Sequence, residues 1–549
     1  MLKIINGQVY DPQNGINGVS KDLYIDEGRF VQPAQEAEET IDAGGCIIMP
    51  GGVDIHSHIA GAKVNSARIM CPEDHYDHFR AAADCTRSGV GHTIPTTFLT
   101  GYEYAGLGYT TVFEAAVPPL EARHAHEELE DTPLLDTGIY TLMGNNTMIM
   151  KALQEKDTAK RRETLRSLVS WLLASSKGYA IKVVNPGGVE SWKWSTGTVD
   201  LDTPVQPFGI SSRRILTALA ETNEDLKLPH ALHLHTNHLG DPGNVQTTLE
   251  TMKTLTGHRV HFTHLQFHSY GITPKGGLKS AAPEIAEFMN AHPEFTCDAG
   301  QIVFGPVTTM TADSPMQFHL HKTTGNKWGS FDVEMETGSG IVPLRYRPSV
   351  LFNASQWCIG LELLLLIRNP WQIVLTTDHP NAGPFTAYPQ IIRLLMDADY
   401  RNSVIETLHP KVGRYTHLKD LKREYTLEEI AIITRSGPAK ALGLSNKGHL
   451  GPGADGDLVI YQPHKDKEKM FASPVYVIKD GRIIVRDGIA LQSFGGKRLV
   501  ALPYGLKDLA DGSLPKELAQ DFADYYSISL RNFAVQDDYL PRVEVISCG

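Results

Sequence analysis

Gly51-Gly52-Val53-Asp54-Ile55-His56-Ser57-His58 is the stretch on which the fold turns. Alternate side chains of a strand share a face, so Asp54, His56 and His58 are expected on one side and Val53 and Ile55 on the other. On a barrel, the Val and Ile face would pack on helices and the histidine face would enter the mouth. Two imidazoles about 6.5–7 Å apart along one face can converge on a single ion. An isolated His-x-His is weak evidence, since most such histidines belong to ordinary loops. Its place at the end of an apolar strand, after Pro50-Gly51-Gly52, gives it weight.

The same alternation selects further candidates. In Ala231-Leu232-His233-Leu234-His235 the leucines define the outer face, both histidines point inward, and His235 lies nearer the strand end. In Val260-His261-Phe262-Thr263-His264 the last residue takes the inward position if Val260 and Phe262 fill the barrel, which leaves His261 outside and His258 and His268 in loops. Ile373-Val374-Leu375-Thr376-Thr377-Asp378 brings a carboxylate to the same rim, although a lone Asp there is more often a helix cap. Lys182, in Gly178-Tyr179-Ala180-Ile181-Lys182-Val183-Val184, is a cation in an apolar strand, where an unpaired ammonium is costly. Either its head escapes to solvent or a carboxylate, or carbon dioxide converts it to an anionic carbamate able to bridge two cations. Barrel active sites gather at the C-terminal ends of several strands, where all these residues fall.

Working outward, strand-like runs near 52–58, 109–117, 137–143, 178–184, 230–236, 259–265, 295–303 and 372–378 alternate with helical patterns near 161–176, 211–225, 243–255, 281–291 and 356–368. Eight strands with helical crossovers predict an α/β fold, a (β/α)8 TIM-like barrel over 51–440. The β-rich flanks, 1–50 and 441–500, are expected to combine into one small β-sandwich domain. Residues 501–549 read as a C-terminal extension that packs on a neighbouring surface. The long connections 59–108 and 304–355 are candidates for the active-site mouth or a partner interface.

The 549 residues carry a formal charge of −12, which argues against non-specific binding to nucleic acid or anionic membrane. The six cysteines show no metal-finger spacing, and the start, MLKIINGQVYD, lacks the pattern of a secretory signal. A soluble, cytoplasmic protein is expected.

The runs PGGVDIHSHIAGAKVN, GYTTVFEAAVPPLEARHAHEE, KGYAIKVVNPGG, LPHALHLHTNHLGDPGN, THLQFHSYG, TTMTADSPMQ, VEMETGSG, LTTDHPNAGPFTAYP and QDDYLP resemble, over essentially the whole chain, the hydrolase subunits of formylmethanofuran dehydrogenase and their counterparts in the formyltransferase/hydrolase complex of methylotrophic bacteria, within the amidohydrolase superfamily. That resemblance implies hydrolysis, or the reverse formation, of the linear formamide N-formyl-methanofuran or N-formyl-methylofuran to formate and the coenzyme amine, inside a multisubunit complex. It implies two zinc ions bridged by carboxylated Lys182 and held by His56, His58, His235, His264 and Asp378. Asp378 would also carry the proton. His233, Asn185, Asn237, Gln266 and Asn381 are candidate substrate or supporting groups. The coenzyme's acidic tail calls for a local basic cluster, for which Lys63, Arg68 and Arg123 are possibilities. His238 and His379 depart from the archaeal pattern and tilt the resemblance towards the bacterial complex. Two other readings are a free-standing cyclic-amide hydrolase of the hydantoinase or dihydroorotase kind, and a non-catalytic assembly scaffold.

Overall fold

The computed structural model describes residues 1–33, 37–194, 199–333, 336–503, 514–526 and 528–548. At its centre eight parallel strands follow one another in spatial order: β1 (Gly52–Ser57), β2 (Tyr109–Val117), β3 (Asp136–Leu142), β4 (Ala180–Val184), β5 (Leu232–His235), β6 (Val260–Phe262), β7 (Phe295–Asp298) and β8 (Ile373–Val374). A bridge between Ser57 and His379, with His58 N–H donating to the His379 carbonyl at 2.7 Å, joins the last connection back to β1. This closes a (β/α)8 barrel.

Val112, Ile139, Ile181, Val183, Leu232, Leu234, Val260 and Phe262 form the outer face and share one core with the surrounding helices. Leu142, Lys182, His233 and His261 lie in register across β3 to β6. Val260 and Phe262 therefore do not fill the barrel, and His261 points into it rather than outside. Alternation also fails in β1. Its register against β2 slips between Asp54 and Ser57, so one extra residue bulges there. Asp54 faces outward and accepts hydrogen bonds from Tyr104 at 2.8 Å and Tyr388 at 2.5 Å, on the helices Thr97–Gly106 and Tyr388–Met396. Val53 and Ile55 instead pack inside the barrel with Phe113, Tyr140, Tyr179 and Ala180, over a floor of Ala439, Leu442 and Leu444. Beyond the bulge, His56 is turned inward.

Both flanks contribute to a seven-stranded sheet, in the order Ile489–Ala490, Arg482–Arg486, Tyr476–Lys479, Leu458–Tyr461, Ile47–Pro50, Gln8–Asp11 and Ile16–Ser20. A four-stranded sheet of residues 2–42 packs with it around Ile4, Val9, Ile25, Ile48 and Leu458. Strand Arg498–Leu502 pairs with the start of β3 at Thr137, places Leu499 and Ala501 in the cluster of Phe113 and Tyr140, and pairs with Val543–Ser547 near the end of the chain. Phe522, Phe533, Val535 and Leu540 of the extension join the main core, with Phe533 against Trp171. Among the described residues, no helix is long and apolar enough to cross a membrane.

The flank sheet is fastened to the barrel by buried charge. Asp136, at the start of β3, meets Lys447 at 2.6 Å and Lys479 at 2.8 Å, and Lys447 also reaches Asp455 at 2.9 Å. Burial alone would raise the Asp136 pKa; the two lysines outweigh it and hold the carboxyl far below its usual range. Asp136→Asn leaves two buried ammonium groups short of a counter-charge and is expected to cost about 3–5 kcal/mol, read by denaturant unfolding at pH 7. The stabilisation from a depressed carboxyl is complete above the unfolded pKa of about 3.9 and fades as pH falls below it. The gap between variant and parent should narrow in that acid range.

Candidate metal centre

Six side chains, each at most 3 % exposed, meet at the C-terminal mouth: His56 from β1, His58 just after it, Lys182 from β4, His235 from β5, His264 after β6 and Asp378 after β8. Ring centroids lie 5.4 Å apart for His56 and His58, 5.4 Å for His56 and His264, and 4.8 Å for His235 and His264. Asp378 Oδ1 is 3.0 Å from His56 Nε2 and 3.2 Å from His58 Nε2. His264 and Asp378 arrive by left-handed turns, with φ of 35° and 47°, rather than by strand alternation. Gly300 permits the first of these, because a Cβ there would stand 2.3 Å from His264 Cβ.

The hydrogen bonds behind the rings fix which nitrogens are free. His58 Nδ1 lies 3.0 Å from Glu114 Oε1, and His56 Nδ1 lies 3.1 Å from Asp298 Oδ2. Burial would raise the Glu114 carboxyl, but Lys63 and His58 overturn this and hold it at about 2. Asp298 is likewise kept well below the usual carboxylate range against its own burial, by His56 and His261. An ionised carboxylate only accepts, so both Nδ1 atoms carry hydrogen, and in the neutral form of each ring Nε2 presents its lone pair. Two lone pairs and a carboxylate oxygen thus face one another in a buried space. A proton on a ring nitrogen or a bound cation can satisfy such a contact. His56, His264 and Asp378 each offer a ligand atom within 4.8 Å of the others, and this nitrogen and oxygen set suits zinc.

Other atoms here are also unmatched. His264 Nδ1 and Lys182 Nζ make no hydrogen bond, and His235 Nε2 approaches Asp313 Oδ2 only to 3.4 Å. Burial pushes the Lys182 ammonium down to about 7.

Of the supporting candidates, His233 touches His56, with Nε2 3.1 Å from Nδ1. Asn185 donates to Asp313 at 2.9 Å and accepts from Asn237 at 2.9 Å. The side-chain oxygen of Asn381 accepts from the Met310 N–H, whereas Gln266 faces Tyr270. Sequence reading missed Glu114, Asp298 and Asp313, and placed His268 in a loop. His268 is buried, with its ring 5.3 Å from those of His235 and His264. The signal for Asp298 was available: like Asp378, it is a carboxylate at the end of an apolar strand.

A cavity of about 1350 Å³ opens above the centre. Asp378, Asn381 and Asn185 lie on its wall, together with Trp192, Phe318 and Tyr346. The long connection 304–355 supplies much of that wall, through the strand pair Gly305–Thr311 and Glu336–Tyr346 and the helix Ser314–Thr324. Among the described residues, Lys322, Arg345 and Arg347 are the lysines and arginines on its wall. The basic residues expected from sequence lie elsewhere. Lys63 is buried against Glu114 and the Ala116 carbonyl, Arg68 pairs with Glu128 at 2.8 Å, and Arg123 stacks over Tyr539.

A parallel barrel whose strand ends converge buried imidazoles and a carboxylate on a cation site defines a metal-dependent hydrolase scaffold. The chain belongs to the amidohydrolase family, whose pattern matches residues 39–485. It is 46 % identical to Protein FwdA of Methanocaldococcus jannaschii, over 99 % of this chain and 98 % of that one. It is 40 % identical to a component of the formyltransferase/hydrolase complex Fhc of Methylorubrum extorquens, over the same shares. A crystal structure of the formyltransferase/hydrolase complex FhcABCD from Methylorubrum extorquens with methylofuran contains a chain that superposes with a TM-score of 0.92, at 39 % identity and full coverage of both. These identities do not favour the bacterial relative over the archaeal one.

Proposed function

We propose that this chain hydrolyses, or in reverse forms, the formamide N-formyl-methanofuran or N-formyl-methylofuran at a two-zinc centre, as one member of a multisubunit complex. The observation that carries the reading is the convergence of His56 Nε2, His58 Nε2 and Asp378 Oδ1 at the base of a large cavity. The full-length likeness to a component of the Fhc formyltransferase/hydrolase complex, whose crystal structure holds methylofuran, supports the substrate class. His56, His58, His235, His264, Asp378 and a carbamate on Lys182 would hold the zinc. To form that carbamate, the buried amine attacks carbon dioxide, a nitrogen–carbon bond forms and one N–H proton leaves. The product is anionic, which resolves the unpartnered ammonium.

Bound zinc supplies a Lewis acid for the formyl oxygen and acidifies a water. Asp378 accepts the proton of the attacking water and passes it to the departing nitrogen, because an alkylamine anion is too basic to leave unprotonated. Water and formamide then yield formate and amine. Asn185 and Asn381 orient the formamide from the cavity wall.

Formate release from N-formyl-methylofuran by the zinc-loaded protein, with its partner subunits, tests this reading. Rapid turnover of hydantoin, dihydropyrimidine or dihydroorotate instead would favour a cyclic-amide hydrolase. No turnover of either class at full zinc occupancy would leave a scaffold. Arg345, Arg347 and Lys322 are assigned to an acidic part of the coenzyme. Exposed ion pairs contribute about 0.2–1 kcal/mol each. Replacing both arginines by alanine should therefore raise KM roughly 2–30-fold with kcat unchanged, and flatten the dependence of KM on salt.

A further inference from the structure

Beneath the metal ligands a line of imidazoles runs down to the barrel floor. His56 Nδ1 lies 3.1 Å from His233 Nε2, His233 Nδ1 lies 2.9 Å from His230 Nε2, and His230 Nδ1 lies 2.7 Å from the Ala441 carbonyl. All three rings are buried, and Tyr140 packs against His230 and His233. Ala441 ends the helix Gly437–Ala441, where carbonyl groups lack partners in the helix itself.

We propose that His233 and His230 are positioning residues that carry the polarity of this one carbonyl to His56 and hold its Nε2 as a lone pair for metal. The order of the links follows from donor chemistry alone. A carbonyl only accepts, so His230 Nδ1 bears hydrogen. With a neutral ring, His230 Nε2 is then the acceptor and His233 Nδ1 must donate to it. That leaves His233 Nε2 as an acceptor, which takes the Nδ1–H of His56 jointly with Asp298. Burial holds the His230 pKa well below the usual imidazole range, in keeping with neutrality.

His261 completes the packing from the side. Its Nε2 is 3.2 Å from Asp298 Oδ2, its Nδ1 is 2.9 Å from Thr296 Oγ1, and its ring stacks on His233 at 4.8 Å. His56, His233 and Asp298 also bring ligand atoms within 4.8 Å of one another, but here each contact is closed by a hydrogen and no cation is called for. The metal reading therefore places the ion above His56 and not below it.

The inference rests on the zinc reading above, and its failure is separable from that of the reading. A parent protein that takes up no zinc would fail the zinc reading. A parent that binds zinc, with variants that bind it equally well, would fail the relay. Supporting groups around ligating histidines typically contribute 10–100-fold in metal affinity. His233→Leu should weaken zinc by about that factor in chelator competition. His230→Leu should act in the same sense, although it touches no proposed ligand. His233→Gln, able to accept from His56 and donate to His230, should stay within a few-fold of the parent. Unchanged affinity in either leucine variant overturns the relay.

If the leucine variants fail to fold, ring-nitrogen NMR of the unsubstituted zinc-loaded chain decides. Nδ1–H tautomers are expected at both His230 and His233, and an Nε2–H tautomer at either one overturns the proposal.

Discussion

Asp378→Asn is expected to lower kcat by about 10²–10⁴-fold while zinc stays bound. The carboxylate sits 3.0 Å and 3.2 Å from the free nitrogens of His56 and His58, and the cavity wall includes it. An amide oxygen can still lie against a cation, and the other proposed ligands remain. What asparagine cannot do is receive a proton from water and return it to the amine. Single-turnover formate release, with zinc measured on the same sample, separates the two roles. Near-normal turnover would remove Asp378 from proton transfer, and loss of zinc would make it chiefly a ligand.

Lys182→Ala should abolish zinc binding, and with it turnover. Bound metal supplies several kcal/mol of transition-state stabilisation, so the rate should fall by about 10³-fold or more. A short carboxylic acid added to the variant should restore part of both, because its two oxygens can occupy the space of the carbamate. The apo form of the variant should be no less stable than the apo parent, since the amine it lacks has no hydrogen-bond partner. Full zinc occupancy in Lys182→Ala would make the lysine structural.

Apolar runs were enough to place the eight strands, and the residues read from their ends, by alternation for the histidines and by a buried charge for Lys182 and Asp378, lie together at the barrel mouth. Alternation misjudged how some of them get there. The bulge in β1 turns Asp54 out to Tyr104 and Tyr388 and puts Val53 and Ile55 inside, and it exists only relative to β2. A single strand cannot reveal a slip of register against its neighbour. His264 was expected to follow the alternation of its strand, yet β6 ends at Phe262 and a left-handed residue makes the turn. The room for that turn comes from Gly300, some 36 positions away, a dependence no local pattern encodes.

Glu114 and Asp298 illustrate a second limit. Each looks like a costly buried acid in its own strand, and only the assembled barrel supplies the histidine that each one orients. The basic residues proposed from sequence failed for the converse reason. Lys63 and Arg68 already have carboxylate partners, whereas Arg345 and Arg347 reach the cavity from the end of a strand, Glu336–Tyr346, that alternation did not single out.

The seven-stranded sheet has an implication for how this chain is made. Its strands at residues 8–20 and 47–50 leave the ribosome well before their partner at Leu458–Tyr461, which pairs directly with Ile47–Pro50. At 5–20 residues per second, the roughly 400 intervening residues take about 20–80 s to translate. Throughout that interval the apolar run Ile47-Ile48-Met49 has an open edge, the kind of segment that invites misassociation. A nascent chain halted before Leu458 should therefore be held by chaperones or aggregate, whereas release past Ala490 lets the sheet close.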